Sequence, residues 1–341
     1  MELTQPKIRP ENTVAPELEA ARATVERLGQ RLRAVIVGRD EVIELVLIAL
    51  LADGHVLLED YPGSGKTTLA RALGDSLIGE RTDLEIPAFR RIQFTPDLLP
   101  SDVTGTSVFE PDTNCFSFRR GPLFAHVVLA DEINRTSPKV QSAMLEAMAE
   151  KQVTVDNCTY PLDDLFFVIA TQNPRDIAGT YPLPKPQLDR FLFKIQMHYI
   201  DRQAELGVLA HYPVPSLHMS DKLPKVKRDE LLAARRAIRR GVFLAEPVRE
   251  ALVDLAGALR QDARVLQAAS TRSLVLMLPA LQARALLRGR DFVAPEDLEA
   301  LAIPVFKHRV DCSPSVQDCA SVIASCLAPQ IERLARYSLK R

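Results

Sequence analysis

The chain has 341 residues, 47% of them hydrophobic and 26% charged, with 43 Lys+Arg against 44 Asp+Glu for a formal net charge of -1. This is ordinary globular composition, which excludes disordered and collagen-like chains, and the charge balance argues against a globally basic partner for nucleic acid. No apolar run approaches the ~20 residues that span a bilayer, the polar N-terminus lacks a signal peptide's apolar core, and five scattered cysteines make no disulfide framework, which points to a reduced, cytoplasmic protein.

At roughly 150 residues per domain, about two domains are expected. Residues 1–16 carry three prolines and read as a flexible tail. From Pro16 a helical spacing sets Leu18, Ala21, Val25, Leu28 and Leu32 on one face, and a second helix is predicted over Arg39–Ala52. HVLLED (55–60) then reads as a short buried strand, followed by a Gly-rich turn and the helix TTLARALGDSL (67–77). Strand, glycine turn and helix open an α/β nucleotide-binding unit.

Three more short apolar runs follow, FRRIQFT (89–95), HVVLADE (126–132) and FFVIATQ (166–172), with a helical pattern over 139–151 between the last two. Nearly continuous β-rich runs of this length are the mark of parallel strands buried on both faces. The fold expected for 17–212 is therefore an α/β P-loop core, a parallel sheet between helical layers. His211–Arg228 holds three prolines and has no period, so 213–228 reads as a linker. Helical patterns at 229–240, 246–260, 270–289 and 295–310 make 229–341 a small all-helical domain, with Pro295 at a favoured first-turn position.

Pro62-Gly63-Ser64-Gly65-Lys66-Thr67 is most of a phosphate-binding loop, with Asp60 where the first glycine of the consensus would stand. Gly63 and Gly65 let backbone N–H groups turn onto phosphate oxygens, Lys66 can reach the β- and γ-phosphates, and the Thr67 hydroxyl can ligate Mg²⁺. The helix that follows aims its positive dipole end at the anion. The bland alternative, a glycine turn that binds nothing, is weakened by the strand before it and the helix after it.

Asp131 and Glu132 end an apolar strand. In a P-loop fold the strand next to the loop ends near the metal, so Asp131 can hold Mg²⁺ and Glu132 can polarise a water for attack on the γ-phosphate. Asn173 ends the next strand, at the edge where open α/β sheets bind ligands, and can orient that water. Arg190 can stabilise charge on the transferring phosphoryl group of a neighbouring subunit, and Arg272 can reach the phosphates from the second domain. Singly, each arginine reads as a surface ion-pair residue; the order of all five features carries the functional reading.

Cys312, Cys319 and Cys326 are seven apart, but no histidine stands at ligand spacing and Pro314 interrupts any continuous helix, so small buried hydrophobes are expected. The basic run Arg235–Arg240 reads as a solvated helix face.

The ordering of these features resembles that of AAA+ ATPases. The segments RRIQFTPDLLPSDVTG, GPLFAHVVLADEINR, AMLEAMAEKQVTVD, FFVIATQNP, GTYPLPKPQLDRF and RGRDFVAPEDL closely resemble the MoxR family, a likeness running from about Val37 to Val310. The resemblance implies Walker A roles for Lys66 and Thr67 and Walker B roles for Asp131 and Glu132. Asn173 would be sensor 1, Arg190 an arginine finger and Arg272 sensor 2. Val37, Gly38, Asp60, Pro62, Gly63, Ser64, Gly65 and Thr68 complete the implied nucleotide-binding set. Two hairpin insertions are implied, at Ser107–Arg120 and Lys151–Leu162, with Phe116 and Phe118, and Val153 and Val155, alternating along them. Lys185-Pro186 departs from the Glu-Ala that many relatives carry before QLDRF. The family implies an ATP- and Mg²⁺-dependent ring, a hexamer, that activates or assembles clients carrying von Willebrand factor A domains. A magnesium-chelatase-like motor subunit and a nucleotide-gated scaffold without hydrolysis stand as alternatives.

Overall fold

The computed structural model describes residues 16–59, 64–78, 86–173, 179–210 and 220–338. The expectations placed on Asp60, Pro62 and Gly63 fall outside these residues. In chain order the first half holds α1 (Pro16–Val35), α2 (Asp40–Leu51), β1 (Val56–Glu59), α3 (Lys66–Asp75), β2 (Leu77–Ile78), β3 (Phe89–Gln93), α4 (Pro100–Thr104), β4 (Gly105–Glu110), β5 (Cys115–Arg120) and β6 (Val127–Asp131). Next come α5 (Pro138–Glu150), β7 (Gln152–Val155), β8 (Cys158–Pro161), β9 (Phe167–Gln172), α6 (Lys185–Leu188), β10 (Phe193–Gln196) and α7 (Arg202–Ala210). The remainder is β11 (Val226–Lys227), α8 (Arg228–Gly241), α9 (Glu246–Gln261), β12 (Val265–Gln267), α10 (Thr271–Leu287), α11 (Pro295–Phe306), β13 (Asp311–Cys312) and α12 (Cys319–Ser338).

Five strands form one parallel sheet in the order β10-β1-β9-β6-β3. Their alternation divides the interior. Val56, Leu58, Val127, Leu129 and Phe167 face one cluster, shared with α1–α3 and the lid helices, while Leu57, Val128, Ala130 and Val168 face a second around α5. Burial on both faces is why these strands read as unbroken apolar runs. One expectation is corrected: β9, not the acidic strand β6, lies beside β1. Parallel crossovers need long connections, and α5 with the β7–β8 hairpin gives the chain length to return past β6 and insert β9 next to β1.

Leu18, Ala21, Val25, Leu28 and Leu32 of α1 are all buried, each such leucine contributing about 2 kcal/mol of transfer free energy. The helix packs on both α3 and α8, so it ties the sheet unit to the helical lid. Both hairpins form as expected, β4 with β5 and β7 with β8. Phe118 stacks on Tyr160 at 3.9 Å between ring centroids, joining the two hairpins, whereas Phe116 is 73% exposed beside Phe109.

The lid differs from expectation in four ways. The long helix α12 lies past Pro314 within the expected helical domain, but β12 pairs antiparallel with β13 inside a domain read as all-helical. Val226–Lys227, within the predicted linker, runs parallel to Leu77–Ile78. Arg235 is not on a solvated face. It is buried, donating to the Leu50 carbonyl at 2.8 Å, to Asp53 Oδ1 at 2.7 Å and to the Asp164 carbonyl at 3.0 Å, because it sits on the α8 face that packs on the end of α2, while Arg236, Arg239 and Arg240 point to solvent. Cys312 and Cys319 form a disulfide with Cα atoms 5.9 Å apart, contrary to the reduced, buried-hydrophobe expectation, since the turn through Pro314 brings the start of α12 back beside β13. Cys326 alone of the three is buried as a thiol, 3.7 Å from Asp262.

Candidate functional site

The parallel register aligns the C-terminal ends of β1, β9, β6 and β3, pairing Glu59 with Gln172 and Gln196, and Gln93 with Asp131. The helix after the loop starts at this edge. Gly65 is its N-cap with φ +91°, a left-handed conformation that favours glycine, and a Cβ built there would meet nothing within 4 Å. Just before it, the Ser64 hydroxyl is buried without a hydrogen-bond partner among the described residues. Lys66 and Thr68 are half-buried in the first turn of α3 and Thr67 is exposed. The N-terminal turn of a helix, an unmet hydroxyl and a lysine suit an anion.

Asp131 is nearly covered, and both its oxygens are engaged. Thr171 Oγ1 donates to Oδ1 at 2.7 Å, and Arg91 donates to Oδ2 through Nη2 at 2.6 Å and Nε at 3.2 Å. Thr171 also accepts the Glu132 N–H at 2.8 Å, so one hydroxyl fixes both acids. Glu132 adopts the left-handed conformation, φ 58° and ψ 49°, unusual for a residue with a side chain. Its Oε2 accepts from Gln93 Nε2 at 3.0 Å and lies 3.4 Å from Arg135 Nε. Asn173 follows β9, and its carbonyl accepts from Asn134 Nδ2 at 3.5 Å.

Arg91 and Gln93 are not marked by any loop or strand-end motif, whereas Thr171 opens the polar Thr-Gln-Asn run that ends its strand. The available signal was period-two polarity inside FRRIQFT, where Arg91 and Gln93 project from the same face of β3. Glu59 is a further unflagged acid. Burial raises its pKa, but Lys194 at 2.9 Å and the amides of Gln172 and Gln196 outweigh burial and hold the carboxyl below its ordinary value.

Val37 and Gly38 lie against α7. Gly38 has φ +71°, and a Cβ there would fall 2.6 Å from that of Ala204 and 3.3 Å from Ile200, so glycine is required twice over. Arg190 follows α6, half-exposed, and Arg272 is an exposed residue in the first turn of α10. Neither makes a side-chain hydrogen bond or ion pair with the strand-end residues among those described. The sheet register sets Asp131, Glu132 and Asn173 at the edge where Ser64–Thr68 open α3, and among the described residues no side-chain hydrogen bond or ion pair ties Arg190 or Arg272 to them.

For a metal, the described residues contain no cluster of three or more His, Cys, Asp or Glu. One carboxylate and one exposed hydroxyl, Asp131 and Thr67, are hard oxygen donors of the kind that hold Mg²⁺ when substrate phosphates and water supply the remaining positions. The donor set fits.

Residues 55–193 match the family described as "ATPase family associated with various cellular activities (AAA)", and residues 257–324 match the AAA lid domain. The chain is 44% identical to the uncharacterised protein YeaC of Bacillus subtilis (strain 168), over 84% of this chain and 87% of that protein. It is 37% identical to chaperone MoxR1 of Mycobacterium tuberculosis, over 87% of this chain and 78% of that one. A crystal structure of a candidate ATPase from Cytophaga hutchinsonii superposes with a TM-score of 0.81 at 34% identity, covering 92% of this chain and 96% of that one. Likeness of this extent, carried by the sheet unit and the lid alike and not confined to the phosphate loop, places the chain in the MoxR family of AAA+ ATPases.

Proposed function

We propose that the chain hydrolyses ATP to ADP and phosphate within a homo-oligomeric ring, a hexamer, and uses turnover to activate or remodel a client protein. The observation that most supports hydrolysis is Glu132, set beside Asp131 by a shared hydroxyl at the sheet edge where α3 begins. Pure nucleotide binding needs no such carboxylate.

Lys66, Thr68 and the N–H groups of Ser64–Thr68 bind the phosphates, with Asp60, Pro62 and Gly63 in the same loop, and Val37 and Gly38 border the nucleoside against α7. Thr67 and Asp131 would hold Mg²⁺, which would neutralise phosphate charge. With Oε2 engaged by Gln93 and Arg135, Glu132 Oε1 takes the proton of a water that Asn173 orients. The water oxygen bonds to the γ-phosphorus, the bond to the β–γ bridging oxygen breaks, and ADP leaves with the electron pair. Arg190 of a neighbouring subunit and Arg272 of the same subunit stabilise the charge that spreads over the phosphoryl oxygens. The half-exposed Arg190, without a side-chain hydrogen bond or ion pair among the described residues, is suited to a second copy. By family likeness, the clients are proteins with von Willebrand factor A domains. Removing Lys66 as Lys66→Ala should weaken fluorescent-ATP binding roughly 10–100-fold, the worth of a charge-assisted hydrogen bond. Wild-type protein that releases no phosphate at concentrations where rings form would end the proposal.

A further inference from the structure

The segment carrying Arg190 is locked to the lid of its own chain through Asp189. Arg309, which follows α11 and is 2% exposed at its side chain, donates from Nε to Asp189 Oδ1 at 2.6 Å. Its Nη2 reaches the carbonyls of Phe191 at 2.6 Å and Asp189 at 3.2 Å, and its Nη1 the carbonyls of Leu192 at 3.1 Å and Val305. His308 Nε2 lies 3.1 Å from the Phe191 carbonyl, and Lys185 pairs with Asp311. From the other side, Ser273 Oγ donates to Asp189 Oδ1 and Ser270 Oγ to Oδ2, both at 3.2 Å. Ser270 caps α10, and Arg272 stands between these two serines. One carboxylate therefore has Arg190 as its chain neighbour and accepts hydrogen bonds from the turn that bears Arg272.

A buried guanidinium with five such acceptors moves only with everything it holds. Any shift of the α10 start displaces Asp189, and with it the backbone of Arg190. We infer that Asp189 and Arg309 are positioning residues that couple Arg272, in a subunit's own nucleotide site, to Arg190, which serves the site of the next subunit. This rests on the reading of Arg190 as acting in trans given above. Its consequence is directional: the lid position at one site sets the finger presented to the next.

Mixed rings test it. A donor subunit carrying Glu132→Gln has a finger but a dead site; a receiver carrying Arg190→Ala has a live site without a finger. Their mixture should regain phosphate release. A donor with Glu132→Gln and Asp189→Asn should assemble and bind fluorescent ATP as before. It should restore about tenfold less turnover, within the range of ordinary coupling energies, with the loss in kcat and not in KM. An Asp189→Asn donor that restores as much as the unmodified donor overturns the proposal. If Asp189→Asn fails to fold or assemble, a Ser273→Ala donor decides, because it removes one hydroxyl and leaves the Arg309 pair. A twofold or greater loss of restored kcat supports the coupling, and any smaller loss overturns it. A mixture of unmodified donor and receiver that stays inactive, with mixed rings formed, overturns the trans finger itself and this proposal with it.

Discussion

Asp131 and Asp189 are both carboxylates gripped by an arginine at 2.6 Å, yet their surroundings differ. The partner of Asp131, Arg91, comes from the adjoining strand and is 47% exposed; the partner of Asp189, Arg309, comes from the lid and is 2% exposed. A half-solvated pair is worth up to about 1 kcal/mol and can be surrendered to another cation. A buried pair costs about 3–5 kcal/mol to break, since the residue left behind has no water to turn to. The same ion-pair chemistry is exchangeable at the strand ends and fixed at the lid. The strand-end pair is thus the one that another cation can replace, and the lid pair is the one that holds its segments in place.

This contrast can be broken most decisively at Glu132. Glu132→Gln should lower turnover about 10²–10⁴-fold, the usual worth of a general base. Its melting temperature should stay close to that of the wild type, because the amide keeps the contact with Gln93; a large drop in melting temperature would erase the distinction. At the lid the opposite is expected of Asp297. It is fully buried, accepts from Arg284 at 2.5 Å, from Arg290 at 2.8 Å and from the Ala294 N–H at 2.8 Å, and Asp297→Asn should destabilise by about 4 kcal/mol in urea titration.

His55 sharpens the comparison at the opposite end of the sheet. Burial, the dominant cause, pushes its pKa down to about 4, and the neutral ring accepts the Val168 N–H at 3.1 Å through Nδ1, with Nε2 3.3 Å from the Met148 carbonyl. A depressed folded-state value means that its contribution is full above the unfolded value near 6.5 and is lost as pH falls through about 4. The total loss is up to about 3 kcal/mol. Denaturant midpoints between pH 7 and 4 should fall less steeply in His55→Gln than in wild type. The smallest effect belongs to Arg91→Ala, which should cost no more than about 1 kcal/mol of stability in the same titration.

The sheet strands, both hairpins and the strand-end acids were legible because their signals are local: unbroken apolar runs, alternation, and a glycine turn between a strand and a helix. Arg235 and Arg309 were not. Each stands in a stretch with other basic residues, and only partners 182 and 120 positions away, Asp53 and Asp189, make burial tolerable. The order of β9 and β6 was hidden for a related reason, since strand adjacency depends on crossover length and not on strand composition. Cys312 and Cys319 illustrate a wrong period. Seven residues apart suggests one helical face, but Pro314 turns the chain, and the same spacing then closes a loop. Gly38 was named from the family resemblance alone; its packing against α7 was not legible, because Ala204 lies more than 160 positions further along the sequence.

The left-handed backbone at Glu132 has a cost that selection must keep bearing. A side chain in that region is disfavoured by about 1 kcal/mol relative to glycine. Glu132→Gly would relieve the strain while deleting the proposed proton acceptor, so, on that proposal, a variant library ranked by heat resistance alone would drift toward an inert protein at this position. Directed evolution of the chain for durability has to hold residue 132 constant and seek its gains elsewhere.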